Sequence, residues 1–430
     1  MKATVSNRIY LRVTPEIKAD IQKKLTYKLE KDFTPGKFTS NIEIIKTYKN
    51  VSDVIMSIPQ GRFDLLPEDY ELVDNRVLVP CDFPAPTADL FPEQFEIYDQ
   101  VDDSCMINAL PGWGKTFTAL HIAKKLGQKT LVITHTAALR DQWIEEVREL
   151  FGIEPGVIGG GKFSTDSCIV VGNVQTITKN TLELSKLFGT VILDEMHHVS
   201  ATTFSTIVDN MHARYRIGLS GTLIRKDKKH VLFNDYFGFN IFKPAKNNTL
   251  DPTVHIYKTG IPLKLNVPWV QKVNALLYDP DYQLLIAGIA AQKIMAGYKV
   301  LIVADRTEFL ENVNTLLREH SSLLVTGDSD KDDRDFAKSA INSGDANCIC
   351  GSRQIFAEGI SINALSCLIL PTPMNNDSLL EQLCGRVMRI FEGKRDPIVI
   401  DMQFSGYADK KQNNSRLAFY LGKGWEVKYS

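Results

Sequence analysis

The sequence predicts an α/β fold: two parallel-sheet domains in tandem, preceded by a small α+β module. Three observations predict it. Short β-branched runs alternate with helical stretches over residues 93–245. The same alternation restarts after residue 265. The first 90 residues follow neither pattern and carry a charge distribution of their own.

The chain has 430 residues and is 44% hydrophobic, enough for more than one core. Its net charge of −1 excludes a global basic field, so any polyanion must meet a local patch. No stretch of about 18 apolar residues exists, so no membrane helix is expected, and the N-terminus lacks a signal-peptide core. Seven cysteines in an odd count, four in or beside apolar runs, are expected to be reduced thiols of a cytosolic protein. Cys348 and Cys350 lie on a strand pattern, and their thiols are expected to face opposite ways. No cysteine spacing suits zinc.

The module comes first. Residues 1–50 hold 11 Lys/Arg against 5 Asp/Glu, and residues 51–90 hold 2 against 8. IYLRV (9–13) alternates like a strand. Thr14 as a cap and Pro15 in the first turn open a helix expected to reach about Leu29. The basic half is open to two readings, phosphate contact or a solvated face. PCDFPAPTADLFP (80–92) reads as an extended linker.

In the first block the strands are expected at 105–110, 130–135, 168–173, 191–195 and 216–221. In the second they are expected at 299–305, 322–328, 346–352, 367–373 and 397–402. Buried strands separated by helices imply parallel sheets covered on both faces. The boundaries read as 1–90, 91–260 and 261–430.

The strongest motif follows the first strand of the first block. Ala109-Leu-Pro111-Gly112-Trp113-Gly114-Lys115-Thr116 fits the A-x-x-x-x-G-K-T pattern of a phosphate loop. Its glycines free the backbone to wrap phosphates, and the helix N-terminus adds positive potential. Lys115 would reach the β- and γ-phosphates, and Thr116 would ligate Mg²⁺. The first position is Ala rather than Gly. VILDEMHH then ends an apolar strand in Asp194 and Glu195, where open α/β sheets bind ligands. Asp194 would hold Mg²⁺, and Glu195 would orient or deprotonate the attacking water. His197 and His198, being adjacent, make a poor metal pair. QLCGRVMR (382–389) sets Arg386 and Arg389 three apart, expected on one side of a helix. Guanidinium groups from a second domain would neutralise a phosphoryl-transfer transition state.

The ordered set Gln94, ALPGWGKT, DEMH, SGT, EGISI and QLCGRVMR resembles the superfamily 2 helicase motifs over roughly residues 90–405. The chain looks most like XPB-like and RecG-like DNA translocases, and within them the phage branch-migration helicases of the UvsW type. GISI (359–362) carries that finer likeness. The resemblance implies two RecA-like domains and an ATP-dependent DNA helicase, acting on forks, Holliday junctions or displacement loops. It implies ATP and Mg²⁺, a monomer working in the bacterial or phage-infected cytoplasm, and DNA as partner.

Residue by residue, the resemblance gives Gln94 the adenine edge, with Phe91 beside the base. His197 would relay to Gln382, Ser220 and Thr222 would couple hydrolysis to movement, and Glu358 and Gly359 would approach the nucleotide. Arg386 and Arg389 match the arginine-finger motif. DNA-facing positions would be His135, Thr136, Gln175, Thr176, Asp305, Arg306 and Ser352, mostly toward the backbone. His135 stands where many relatives have proline, and Ser361 replaces their usual aspartate. The segment 225–230 could touch a duplex arm or be an exposed loop. The module would engage a junction or duplex arm. Rival readings are an RNA helicase and a duplex translocase subunit of a remodelling or restriction complex.

Overall fold

The computed structural model describes every residue except 31–41, 199–200, 222, 224–227, 246–248, 264–266, 359, 361 and 430. It also leaves out the side chains of residues 30, 198, 201–202, 204–205, 357–358 and 407–409. Thr222, Gly359, Ser361, residues 225–227 and the side chains of His198 and Glu358 therefore lie outside the described residues. The chain divides into two compact units, Met1–Leu110 with Gly114–Asn247, and Asn248–Ser430 with Pro111–Trp113.

The first unit contains an eight-stranded sheet. Its order is Lys162–Phe163, Gly156–Gly159, Ile169–Asn173, Thr130–Thr134, Thr190–Leu193, Tyr215–Ser220, Cys105–Asn108, Ile241–Phe242. All pairs are parallel except the first. The strand between Thr190–Leu193 and Cys105–Asn108 is the one ending in Ser220. Three motifs thus share the carboxyl edge of one sheet. Helix Lys115–Leu126 starts at a left-handed Gly114 (φ 93°) and stops at a left-handed Gly127 (φ 61°), conformations glycine adopts without a Cβ clash.

The second unit contains a seven-stranded, all-parallel sheet: Ser322–Val325, Cys348–Ser352, Val300–Ala304, Cys367–Leu370, Ile398–Ser405, Thr253–Pro262, Val427–Tyr429. Its strands are apolar on both sides because both sides are covered. Leu301, Val303, Ile349, Leu368 and Val399 enter one core, while Val300, Ile302, Cys348, Cys350 and Ile400 enter the other. Each such side chain, fully buried, contributes about 1.5–3 kcal/mol. Cys348 and Cys350 share a face, contrary to expectation. A strand repeats every two residues, so positions i and i+2 point the same way. Strand Thr253–Pro262, for which no strand was expected, pairs inside this second sheet.

The module is a five-stranded sheet with helix Pro15–Lys24 and a separate hairpin, Thr26–Glu30 with Ile42–Lys46. Thr14 caps the helix as expected, accepting from Ile17 N–H. The helix ends at Lys24 rather than Leu29, because residues 26–30 pair as a strand with residues 42–46. The module belongs to the first unit. Tyr27 and Ile45 of the hairpin pack on that unit's core. Asp235, fully buried, accepts from Tyr27 Oη (2.8 Å), Thr47 Oγ1 (2.6 Å) and Arg62 Nη1 (2.9 Å). Asp209 pairs with Arg8 (2.5 Å), and Arg216 donates to the carbonyl of Asn7 (2.9 Å). Buried charges joined this way make a stiff seam, since breaking one pair strands the other charge.

The expectation of seven reduced cysteines is corrected at one place. Cys81, in the proline-rich linker, is joined to Cys168 with Cα atoms 5.9 Å apart; the other five cysteines are free and buried. The fold brings together two residues separated by 87 positions, a juxtaposition no local spacing announces. Among the described residues no helix is long and apolar enough to cross a membrane.

Candidate functional site

The phosphate-loop residues follow strand Cys105–Asn108. Ala109 N–H donates to the carbonyl of Ser220, tying the start of the loop to the end of the neighbouring strand. Gly112 and Gly114 both have positive φ (89° and 93°), the backbone a wrapped loop requires. Lys115 Nζ donates to the carbonyls of Ala109 (2.8 Å) and Leu110 (3.3 Å), so its charge sits inside the curve of its own loop. Thr116 stands in the first turn of the helix, where free amides collect.

Gln94 is placed by the helix Pro92–Gln100. Its Oε1 accepts from Phe91 N–H at 3.1 Å, half of a capping box. Its Nε2 lies so close to Gly114 that a Cβ there would approach it to 2.4 Å. Glycine at 114 therefore serves two needs, the left-handed turn and the approach of Gln94. Phe91 is exposed beside it.

Asp194 is 5% exposed. Its Oδ2 accepts from Trp143 Nε1 at 2.8 Å and its Oδ1 from Glu195 N–H at 2.9 Å. Burial, then the charge of Glu195, pushes its carboxyl up to about 6; the Trp143 hydrogen bond and the Lys115 charge oppose that rise. Glu195 holds a positive φ of 45°, an uncommon conformation for a side-chain-bearing residue that functional sites retain. His197 Nδ1 lies 2.7 Å from Ser220 Oγ and 3.2 Å from Glu195 Oε2. Lysine, two carboxylates, a histidine and a serine thus converge on one sheet edge. The donor set fits a divalent cation of the magnesium kind: a hydroxyl, a carboxylate and nucleotide oxygens, with no all-protein cage needed. No cluster of three or more His, Cys, Asp or Glu able to hold a metal occurs among the described residues.

The positions expected to face nucleic acid in the first unit lie after adjacent strands. Thr136 caps helix Ala137–Phe151 by accepting from Leu139 N–H (3.2 Å). Gln175, exposed, donates to the carbonyl of His135 (3.4 Å), and Thr176 follows it in the short helix Val174–Lys179. Arg140, which sequence reasoning missed, donates to Asn173 Oδ1 (2.8 Å) and joins these two loops.

In the second unit Ser352 ends its strand, and Asp305 directly follows the adjacent parallel strand Val300–Ala304. Asp305 pairs with Arg353 at 2.8 Å, and Arg353 also donates to Thr372 Oγ1. Arg306 donates to Asn274 Oδ1 at 2.8 Å. Gln382 lies on helix Asp377–Gly385. The expectation that Arg386 and Arg389 share one side of a helix is corrected. The helix ends at Gly385, Arg386 is its cap, and Arg389 forms a bridge with Thr249. Backbone pairing to residues 249–250, with Leu250 N–H donating to Met388, pulls the chain out of the helix. Arg386 Nε donates to the carbonyl of Phe356 (2.6 Å) and Arg389 Nη1 to Asn363 (3.1 Å).

Trp143 was the other residue missed. It is 51 positions from its partner, and its fit to a helical apolar face gave no hint of a polar task.

The fold and this edge define the nucleoside-triphosphate motor class, and comparison with known proteins agrees. Residues 86–225 match the family of the type III restriction enzyme res subunit, and residues 282–391 the helicase conserved C-terminal domain. "Probable helicase D10" of Escherichia phage T5 is 44% identical over 99% of this chain and 96% of its own length. The "ATP-dependent DNA helicase uvsW" of Enterobacteria phage T4 is 25% identical, over 67% of this chain and 62% of its own. Among solved structures, S. cerevisiae Dbp5 bound to RNA and ADP BeF3 covers 79% of this chain and 94% of its own, at 14% identity and TM-score 0.56. The Pyrococcus furiosus Hef helicase domain covers 75% and 97%, at 15% identity and TM-score 0.52. Both support the fold of two RecA-like domains.

The chain belongs to the superfamily 2 helicases and is related to the UvsW-type phage enzymes.

Proposed function

We propose that the protein is an ATP-dependent DNA helicase acting on branched DNA, with branch migration and unwinding as its work in recombination, replication or repair. One observation carries the nucleotide half of the reading. Lys115, Asp194, Glu195, His197 and Ser220 meet at the carboxyl edge of a single parallel sheet. The DNA half is supported by the likeness to a relative named as a DNA helicase.

In this reading the peptide N–H groups of Gly112–Thr116 and the Lys115 ammonium bind the phosphates, with Pro111 shaping the turn. Thr116 and Asp194 would hold Mg²⁺, which when bound neutralises phosphate charge. Glu195 takes the proton of the attacking water, and His197 with Ser220 passes the change along the sheet edge. Gln94 orients the base. Arg386 and Arg389 supply guanidinium charge to the transferring phosphoryl group, and Gln382, Thr222, Glu358 and Gly359 belong to the same relay. His135, Thr136, Gln175, Thr176, Arg306 and Ser352 contact the nucleic-acid backbone, which gives affinity without reading sequence.

The test compares ATP turnover and strand separation on a fork, a Holliday junction, plain duplex and single-stranded RNA. Branched DNA should stimulate most, and Lys115→Ala should abolish the response. Turnover in Lys115→Ala equal to the parent would remove the phosphate-loop assignment. A second reading, RNA unwinding, draws on a mimivirus relative named as an RNA helicase, 25% identical over 74% of this chain and 63% of its own. Greater stimulation by RNA would favour it.

A further inference from the structure

A carboxylate taken out of water must be given donors, and their positions decide which way it faces. Asp194 has two such donors. One is local: the peptide N–H of Glu195, brought round by that residue's left-handed backbone. The other comes from elsewhere in the fold: the indole of Trp143, at 0% exposure on helix Ala137–Phe151, 2.8 Å from Oδ2. Leu139, Ile144, Val147, Leu150 and Phe151, the other buried residues of that helix, have side chains with no polar atom. At Trp143 an apolar ring would fill the same place, yet the ring there carries a single N–H, and that N–H is aimed at the strand-end carboxylate. Indole can donate and cannot accept, so the pair holds only while Asp194 presents an oxygen lone pair.

We propose that Trp143 is a positioning residue for hydrolysis, fixing the orientation of the Asp194 carboxylate that would ligate the divalent cation. The inference rests on the reading of Asp194 given above. It adds a second layer behind that ligand, the arrangement by which proteins orient metal-binding carboxylates. The pairing also explains how a carboxylate beside Glu195 can hold one orientation despite the neighbouring charge. One bond is set by the chain's own turn and the other by a ring immobilised in the core.

The test uses the full chain with ¹⁵N-labelled tryptophan. The four tryptophans give four indole signals; Trp113→Phe, Trp269→Phe and Trp425→Phe assign three of them, which leaves the fourth to Trp143. In the parent protein the Trp143 signal should shift when Mg²⁺ and ADP are added together and stay put with ADP and a chelator. Trp143→Phe should need about 10-fold more Mg²⁺ for half-maximal ATP turnover. Its KM for nucleotide at saturating Mg²⁺ should stay close to the parent. An indole signal indifferent to Mg²⁺·ADP, or a Trp143→Phe variant with the parent's Mg²⁺ requirement, overturns the proposal. The indole titration is made on the parent, so it decides even if the variant does not fold. Failure here leaves the Lys115→Ala result untouched, so the two readings fail separately.

Discussion

Asp194 and Asp235 are buried aspartates of the same unit, and they are held in opposite ways. Asp235 accepts from a phenol, a hydroxyl and a guanidinium, and Arg62 neutralises its charge. Asp194 accepts from one indole and one peptide N–H, and its neighbour is another carboxylate. Burial pushes both carboxyls up. At Asp235 three hydrogen bonds and the Arg62 charge answer that penalty. At Asp194 the second-largest influence after burial is the repulsion from Glu195, which adds to it. A carboxylate paired with a cation from within the protein holds structure together. One that lacks a paired cation retains a reason to bind one.

The largest effects should fall on the residues proposed to act in hydrolysis. Glu195→Gln should lower ATP turnover by about 10²–10⁴ if the carboxylate takes the water's proton. Arg386→Ala should cost on the order of 10³. Glu195→Gln should leave the melting temperature close to that of the parent, raised slightly because a like charge beside Asp194 is removed. A large fall in stability with Glu195→Gln would erase the contrast between the two aspartates.

The paired side should show the reverse. Asp235→Ala removes the buried acceptor shared by Tyr27, Thr47 and Arg62, leaving Asp64 as the carboxylate beside Arg62, and should destabilise the first unit by about 3–5 kcal/mol in chemical denaturation. Removal of the whole module exposes Asp209, Asp235 and Arg216 at once. The truncated chain should therefore be poorly folded rather than merely weaker on DNA. A well-folded, ATP-hydrolysing fragment lacking residues 1–78 would show that the seam is dispensable.

The same contrast explains what the sequence could reveal. The phosphate loop and the Asp194–Glu195 pair are contiguous motifs, so their place at the ends of neighbouring strands was readable, and most strand ends fell within two residues of expectation. Long-range partners were not readable. Trp143 meets Asp194 across 51 positions, and Tyr27, Thr47 and Arg62 meet Asp235 across 208, 188 and 173. The early ends of helices Pro15–Lys24 and Asp377–Gly385 have one cause: a distant strand or bridge captured the backbone that periodicity would have left helical. The module read as separate because charge shifts mark composition; they do not mark what a surface is docked against.

A smaller effect should attend Cys81 and Cys168. Their bond closes a segment spanning 87 positions and should stabilise the oxidised chain by about 2–4 kcal/mol. Adding reductant should lower the melting temperature of the parent and leave Cys168→Ser unmoved. Equal melting curves with and without reductant would mean that the thiols stay free.

The smallest effect is expected at Asp305, where likeness and geometry pull apart. The likeness places it facing nucleic-acid backbone. The structure gives it an arginine partner, Arg353, whose side chain is 10% exposed against 45% for Asp305. Burial pulls the Arg353 guanidinium below its ordinary value, and Asp305 is the charge opposing that shift. A carboxylate facing phosphate would repel it, so Asp305→Asn would tighten binding and steepen its salt dependence. A carboxylate spent on Arg353 would do neither, and its loss would cost about 1 kcal/mol of stability, because the pair is half open to solvent. We expect the second outcome: DNA affinity and its salt slope unchanged, with a small drop in melting temperature. Tighter binding would return Asp305 to the nucleic-acid face and make Arg353 a secondary partner.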